Sequence, residues 1–369
     1  MRAARWFTLC SMLLGLSALG SSAEAQEVKH LIYAAVPGIG NDVQFGGVGI
    51  LVFDRDHDHK FVRRIKTWPT YTREAPEPIK GIAASVESGL LYVSTTRRLA
   101  AFDLKTDKLV WQKGYDADCC DRMAVSPDGK VLYVPSFGFP KWYVVNAHTG
   151  DVITTVTKEG EAHNTIYSPS GDRVYLAALR SPTMVVIDPH TNKVIREVGP
   201  FSKQVRPFTI NGKETIAYVS VNDLLGVGVG DLKTGKVLAE VSVPGYPKGK
   251  PRGHGTISHG VALTHDETEV WVADGPNKAA HIFDATVMPP KYKQTLTLRD
   301  EVTWFTCSID GTLIYPASGE VVDVKSKKIL GALTDEQGRA VETEKLLEVD
   351  FAGDRPVKAG DQFCFGEKR

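Results

Sequence analysis

An aspartate or asparagine closes a short apolar run seven times in this 369-residue chain, and that recurrence limits the fold more than any other feature. The residues are Asp54, Asp103, Asn146, Asp188, Asp231, Asp284 and Asp323, separated by 49, 43, 42, 43, 53 and 39 residues. A carboxylate or amide oxygen here accepts backbone N–H bonds two residues on and nucleates a chain reversal. The "TGK" or "TNK" that follows in several units supplies a left-handed residue for a bulged hairpin. About halfway between these marks lies a second turn, as in "SPDGK" (126–130), "SPSGD" (168–172) and "SIDGT" (308–312). Runs such as "RMAV" precede it and "VLYVP" or "EVWVA" follow it, rich in β-branched and aromatic residues. No convincing amphipathic helix interrupts the pattern. Four strands per unit, seven times over, predict an all-β, seven-bladed propeller of four-stranded antiparallel blades.

The repeat also predicts how the ring closes. "KHLIYAAV" (29–36) matches the second strand of the other units, so blade 1 lacks its innermost strand. The C-terminal "EKLLEVDF" (344–351) has no blade of its own and is expected to fill that place, with the tail 352–369 packing on the bottom face. The first 25 residues are read as a signal peptide: Arg2 and Arg5, an apolar run over 6–20, then "AEA". The expected mature chain, 26–369, forms one propeller domain and is periplasmic or secreted. Removing Arg2, Arg5 and Glu24 leaves it within one charge of neutrality. That argues against nucleic acid, whose phosphates demand a basic excess. No later run is long enough to suggest integral membrane association.

Units reading "VVIDPHTNKVI" and "SPDGKVLYV" resemble the YVTN-repeat β-propellers, a large group of exported bacterial proteins. The resemblance covers blades 2 to 7 and implies fold far more than function, because the group includes enzymes, cofactor-associated proteins and others. "AAFDLKTDKLVW" (100–111) also looks like the tryptophan repeat of pyrroloquinoline quinone dehydrogenases, which carry adjacent cysteines too. Those have eight blades, whereas only one such repeat occurs here and Asp107 stands where glycine is usual, so no quinone is expected. The lactonase branch of seven-bladed propellers has a His-rich motif that is not found. "DRDHDHK" (54–60) occupies the hairpin position of every blade and reads as turn chemistry rather than a divalent cation site. No cofactor is predicted.

Chemistry is expected where the innermost strands begin, around the mouth of the central channel. Five residues before each turn marker stand Lys80, Asp121, His163, Gln204, His259 and Thr303, with Arg122, Asn164, Arg206 and Trp304 within two residues of that register. Glu344 and Lys345 occupy the seventh place. Two histidines, two arginines and a lysine on one small rim point to an anionic ligand. The basic stretch 243–260 carries His254 and is expected to fold over the mouth. The loops 136–143, 178–183 and 273–279 add Phe137, Trp142, Arg180, Asp274 and Asn277, a set that suits a carbohydrate-like ligand. If a reaction occurs, His163 and His259 are its acid–base candidates, most naturally in a uronate-directed lyase or glycosidase. A non-catalytic platform for a protein partner is the third reading.

Cys119, Cys120, Cys307 and Cys364 remain after the signal. An even count in an oxidising compartment favours two disulfides. A Cys307–Cys364 bridge would clip the tail to blade 7, leaving Cys119–Cys120 as a vicinal pair that would present a sulfur surface to the ligand.

Overall fold

The computed structural model describes residues 27–39, 42–68, 77–116 and 119–367; the N-terminal stretch read as a signal peptide lies outside them. Seven antiparallel sheets form a seven-bladed β-propeller, and no helix occurs among the described residues. In blades 2 to 7 the outermost strand is the least buried. In blade 2 the strand Leu90–Thr95 is buried throughout, whereas five of six residues in the outermost strand of blade 4, Lys193–Val198, are exposed. The inner strands are covered on both faces by neighbouring blades and therefore read as continuous apolar runs rather than alternating ones. Core clusters lie between neighbouring blades: Tyr33, Ile50 and Val52 of blade 1 pack with Ile82, Leu91 and Val93 of blade 2.

The hairpin chemistry takes the expected form. Asp103 Oδ1 accepts the backbone N–H groups of Lys105 (3.1 Å) and Thr106 (2.7 Å), and Asp231 Oδ1 does the same for Lys233 (2.7 Å) and Thr234 (2.9 Å). Asp107, Gly150, Asn192 and Gly235 all carry positive φ near the end of these turns, and a register shift follows in each blade concerned. Acidic residues of 54–60 are likewise engaged: Asp54 accepts the N–H of Asp56, and Asp56 that of His30.

Ring closure joins the chain ends. Leu346–Ala352 lies antiparallel to Val28–Val36, from Val28 opposite Ala352 to Ala34 opposite Leu346. The tail goes deeper than the expected packing on the bottom face. After a hairpin, Arg355–Ala359 adds a fifth strand to the channel side of the closing strand. The chain then crosses the channel, and Gln362 ties three blades together: its Oε1 accepts the N–H of Ile82, its Nε2 donates to the carbonyl of Met123, and its own carbonyl accepts from Trp304 Nε1. Cys364 is bonded to Cys307, and its carbonyl accepts the N–H of Leu263 and the hydroxyl of Thr209. The channel is thus stoppered from below, and what opens at the top is a blind cup.

Candidate functional site

The cup has a volume of about 210 Å³, small for a ligand site. Most of the rim residues singled out from the sequence converge on it: Lys80, Arg122, His163, Arg206, His254, His259 and Lys345 all line it, with Phe137 and Glu344. They come from six blades, because each innermost strand delivers its first residues to the same small circle. Trp304 lies beneath, its ring 3.8 Å from the Arg122 guanidinium carbon and 5.2 Å from the ring of Phe363 in the tail.

Two charge systems organise the cup. In the first, fully buried Asp121 holds Nδ1 of His163, leaving Nε2 of His163 buried without a hydrogen-bond partner. Burial lowers the pKa of His163 and outweighs the opposing pull of Asp121; for Asp121 burial works upward, but His163, Lys80 and Arg122 together bring its pKa below the ordinary value. The second system centres on Glu344. Its Oε2 accepts from Arg122 (2.5 Å) and from Lys345 (2.7 Å), while Lys345 Nζ also donates to the carbonyl of Gly38. Its Oε1 faces His254 Nε2 at 2.6 Å and His259 Nδ1 at 3.8 Å. Burial alone would raise the Glu344 pKa, yet His254, Lys345 and Arg122 hold it well below the usual carboxylate range. Burial takes Lys345 down to about 7 against the attraction of Glu344, and it drives His259 well down, with help from His254. The rings of His254 and His259 stack with centroids 3.8 Å apart.

Lys80 and Arg206 differ from the other cations. Neither has a carboxylate within 4.0 Å among the described residues: Lys80 Nζ lies 4.0 Å from the centre of the Phe137 ring, and Arg206 Nε donates to Asn222 (2.7 Å). Ten buried side-chain polar atoms lack a hydrogen-bond partner among the described residues; four of them belong to residues that line the cup, Arg122, His163, His254 and Glu344, five to residues packed behind it, and Thr67 supplies the tenth. Native interiors pair nearly all such atoms, so their concentration in one ring marks hydrogen-bonding capacity that the protein does not spend on itself.

Several expected members stand elsewhere. Arg180 does not line the cup; it is exposed on the loop after blade 4's second strand and pairs with Glu161 at 2.6 Å. Asn164 is wholly buried behind the wall, bridged to the backbone of Arg122. Trp142 is core, donating to Thr165, because it belongs to a strand and not to the loop before it. Asp274 is buried against His281 (2.9 Å), and Asn277 donates back to Asp274.

Cys119 and Cys120 are bonded to each other, but they present no sulfur surface to a ligand. Both are buried in the cluster between blades 2 and 3, with Ala83, Tyr92, Leu99, Met123 and Tyr143. They sit just upstream of a clamped backbone. Cys120 N–H donates to Thr95, Asp121 N–H to Pro135, and the Asp121 carbonyl accepts from Ser94. A Cβ on Gly81 would come within 2.9 Å of the Arg122 Cα, so the absence of a side chain there lets blade 2 press against the residue pair that carries the charge.

Glu344 is the hub that the register indicated only by position. Nothing local distinguishes it; its three partner groups arrive from blades 3 and 6 and from the next residue. No protein-family model matches the chain, and no curated protein is significantly similar to it in sequence.

Proposed function

We propose that the protein is an exported propeller of the YVTN-repeat type whose top-face cup binds a small polar anion, of the class of sugar acids. The observation that carries this reading is the unpartnered polar atoms on the cup wall, such as Arg122 Nε and His163 Nε2, flanked by two cations, Lys80 and Arg206, with no carboxylate within 4.0 Å among the described residues. A carboxylate-bearing ligand would satisfy both, and Phe137 offers an apolar surface beside them. Export is supported by the basic and apolar N-terminus and by two disulfides, which persist in oxidising compartments.

Thermal unfolding with galacturonate, glucuronate and galactose tests the binding. The acids are expected to raise the midpoint and galactose to leave it unchanged; Arg206→Ala should remove the response. Equal shifts with the neutral sugar, or none with any acid, would count against the reading. N-terminal sequencing of the exported protein should begin at Gln26.

A second reading has one observation of its own. Asp121 fixes His163 so that Nε2 is the nitrogen offered to the cup. That is the arrangement of a general base, suited to removing the proton α to a carboxylate. In a uronate the C–H proton would pass to Nε2 and the neighbouring C–O bond would break as the double bond forms. An activity on uronate oligomers that survives His163→Ala would remove His163 from that role.

A further inference from the structure

The turns that mark the repeat in the sequence meet at the lower end of the channel, where they and the tail enclose a second cavity of about 490 Å³. That volume lies within the range of small-molecule sites, and the cavity shares no lining residue with the cup. The turn serines bring little polarity to it, because their hydroxyls are spent locally: Ser126 donates to Asp128 (2.6 Å) and Ser308 to Asp310 (2.7 Å). Much of the remaining wall is apolar, with Tyr167, Phe363 and Phe365 among proline and branched aliphatic side chains. Asp361 is the exception. Its Oδ1 accepts the N–H of Phe363 (2.8 Å), and its side chain makes no other hydrogen bond and no ion pair among the described residues. Burial, opposed only by that N–H, pushes its pKa up to about 6, so at neutral pH the wall carries a negative charge without a counter-ion. Glu87, Glu367 and Lys358 stand exposed around the cavity, and burial lowers the pKa of the half-buried His265, which adds no positive charge at neutral pH. The lining thus holds three carboxylates against one ammonium, the reverse of the cup, where Lys80, Arg122, Arg206 and Lys345 face Glu344.

We propose that this lower chamber is a second binding site, taking a small organic ammonium ion with an apolar or aromatic body. The ammonium donates to the free carboxylate oxygen of Asp361 and supplies the cation that the protein does not. The body lies against Tyr167, Phe363 and Phe365, whose ring faces also attract a cation. An inorganic cation is served poorly here, because it needs several oxygen ligands and the apolar wall offers one unpaired carboxylate. Asp361, Phe363 and Phe365 all belong to the tail, so the ligand would brace the stopper that Cys364 anchors. The site lies across that stopper from the cup and does not rest on the anion reading.

Calorimetric titration of the whole mature protein with phenethylammonium tests this, with phenethyl alcohol and phenylacetate as the neutral and anionic counterparts. The amine is expected to bind, and the other two to bind at least about 10-fold more weakly, the scale of one charge-assisted hydrogen bond. Asp361→Asn keeps the size and an oxygen for the Phe363 N–H but removes the charge. Its affinity for the amine should fall at least about 10-fold. Its thermal midpoint should equal or exceed that of the parent, because a buried charge without a partner has been removed. The comparison of the three compounds uses the unaltered protein and stands whatever the variant does. No saturable binding at millimolar amine, equal binding of the alcohol, or undiminished affinity in Asp361→Asn would overturn the proposal. A lowered midpoint in Asp361→Asn would also overturn it, since Asp361 would then be satisfied within the protein. Excess galacturonate should not compete; competition would place the amine in the cup instead. Amine binding is read without any sugar acid, so failure of the lower site leaves the anion reading standing, and the reverse.

Discussion

Asp121, Arg122, Glu344 and Lys345 show how charge is kept in an interior that nearly excludes water. Each is at most 3 % exposed, and each stays ionisable because an opposite charge and a hydrogen bond replace the lost solvation. Removing one member leaves its partners uncompensated. Glu344→Gln is therefore expected to cost roughly 3–5 kcal/mol in chemical denaturation, the range for breaking a buried pair. Asp121→Asn keeps the shape but removes the charge that props up the pKa of His163. The imidazole should then titrate at a still lower pH than in the parent, read by NMR of its ring protons, since burial would act unopposed by Asp121. An unchanged titration would mean that Asp121 does not set the state of His163.

At the level of elements, the closing strand depends on contacts that span the ring. Arg55, in the first hairpin of blade 1, donates to Glu348 of the closing strand (2.8 Å) and to Asp310 in the turn of blade 7 (2.5 Å). Burial would raise the pKa of Asp310, but Arg55, Ser308 and Thr312 more than reverse this and hold it far below 3.8. A depressed folded pKa contributes stability that is complete above the ordinary value and is lost as pH falls through the folded one. Melts between neutral pH and strong acid should accordingly lose stability below about pH 4. Arg55→Ala should make that acid limb shallower while lowering the plateau; an acid limb of unchanged slope would show that the closure is held by other groups.

For the whole molecule, the tail is both latch and stopper. It joins blades 2, 3 and 7 through Gln362 and blades 5, 6 and 7 through Cys364. The Cys307–Cys364 bond closes a span of 57 residues, for which chain entropy gives about 4 kcal/mol. The Cys307→Ser, Cys364→Ser double variant should unfold at correspondingly lower urea, and its channel should open from below, detectable as faster hydrogen exchange at the Trp304 indole. Equal exchange in both proteins would mean that the tail stays seated without the bond.

Much of this architecture is legible in one dimension because each blade is a local object. Turn residues at fixed offsets and apolar runs of strand length specify every hairpin, and a missing first strand beside a surplus last one specifies the closure. The channel register follows from the same counting, which is why Lys80, Arg122, His163, Arg206, His259 and Lys345 could be named from their spacing and do meet in one cup. Direction and depth are what counting does not carry. Arg180 turns to Glu161, Trp142 enters the core, and the cysteine pair packs between blades instead of facing the channel, because a shift of one or two residues decides which side of a strand end a side chain leaves. The pairing of Asp121 with His163, the gathering of two cations and two imidazoles around Glu344, and the passage of Gln362 through the channel are relations between distant segments. Only closing the ring brings them within bonding distance.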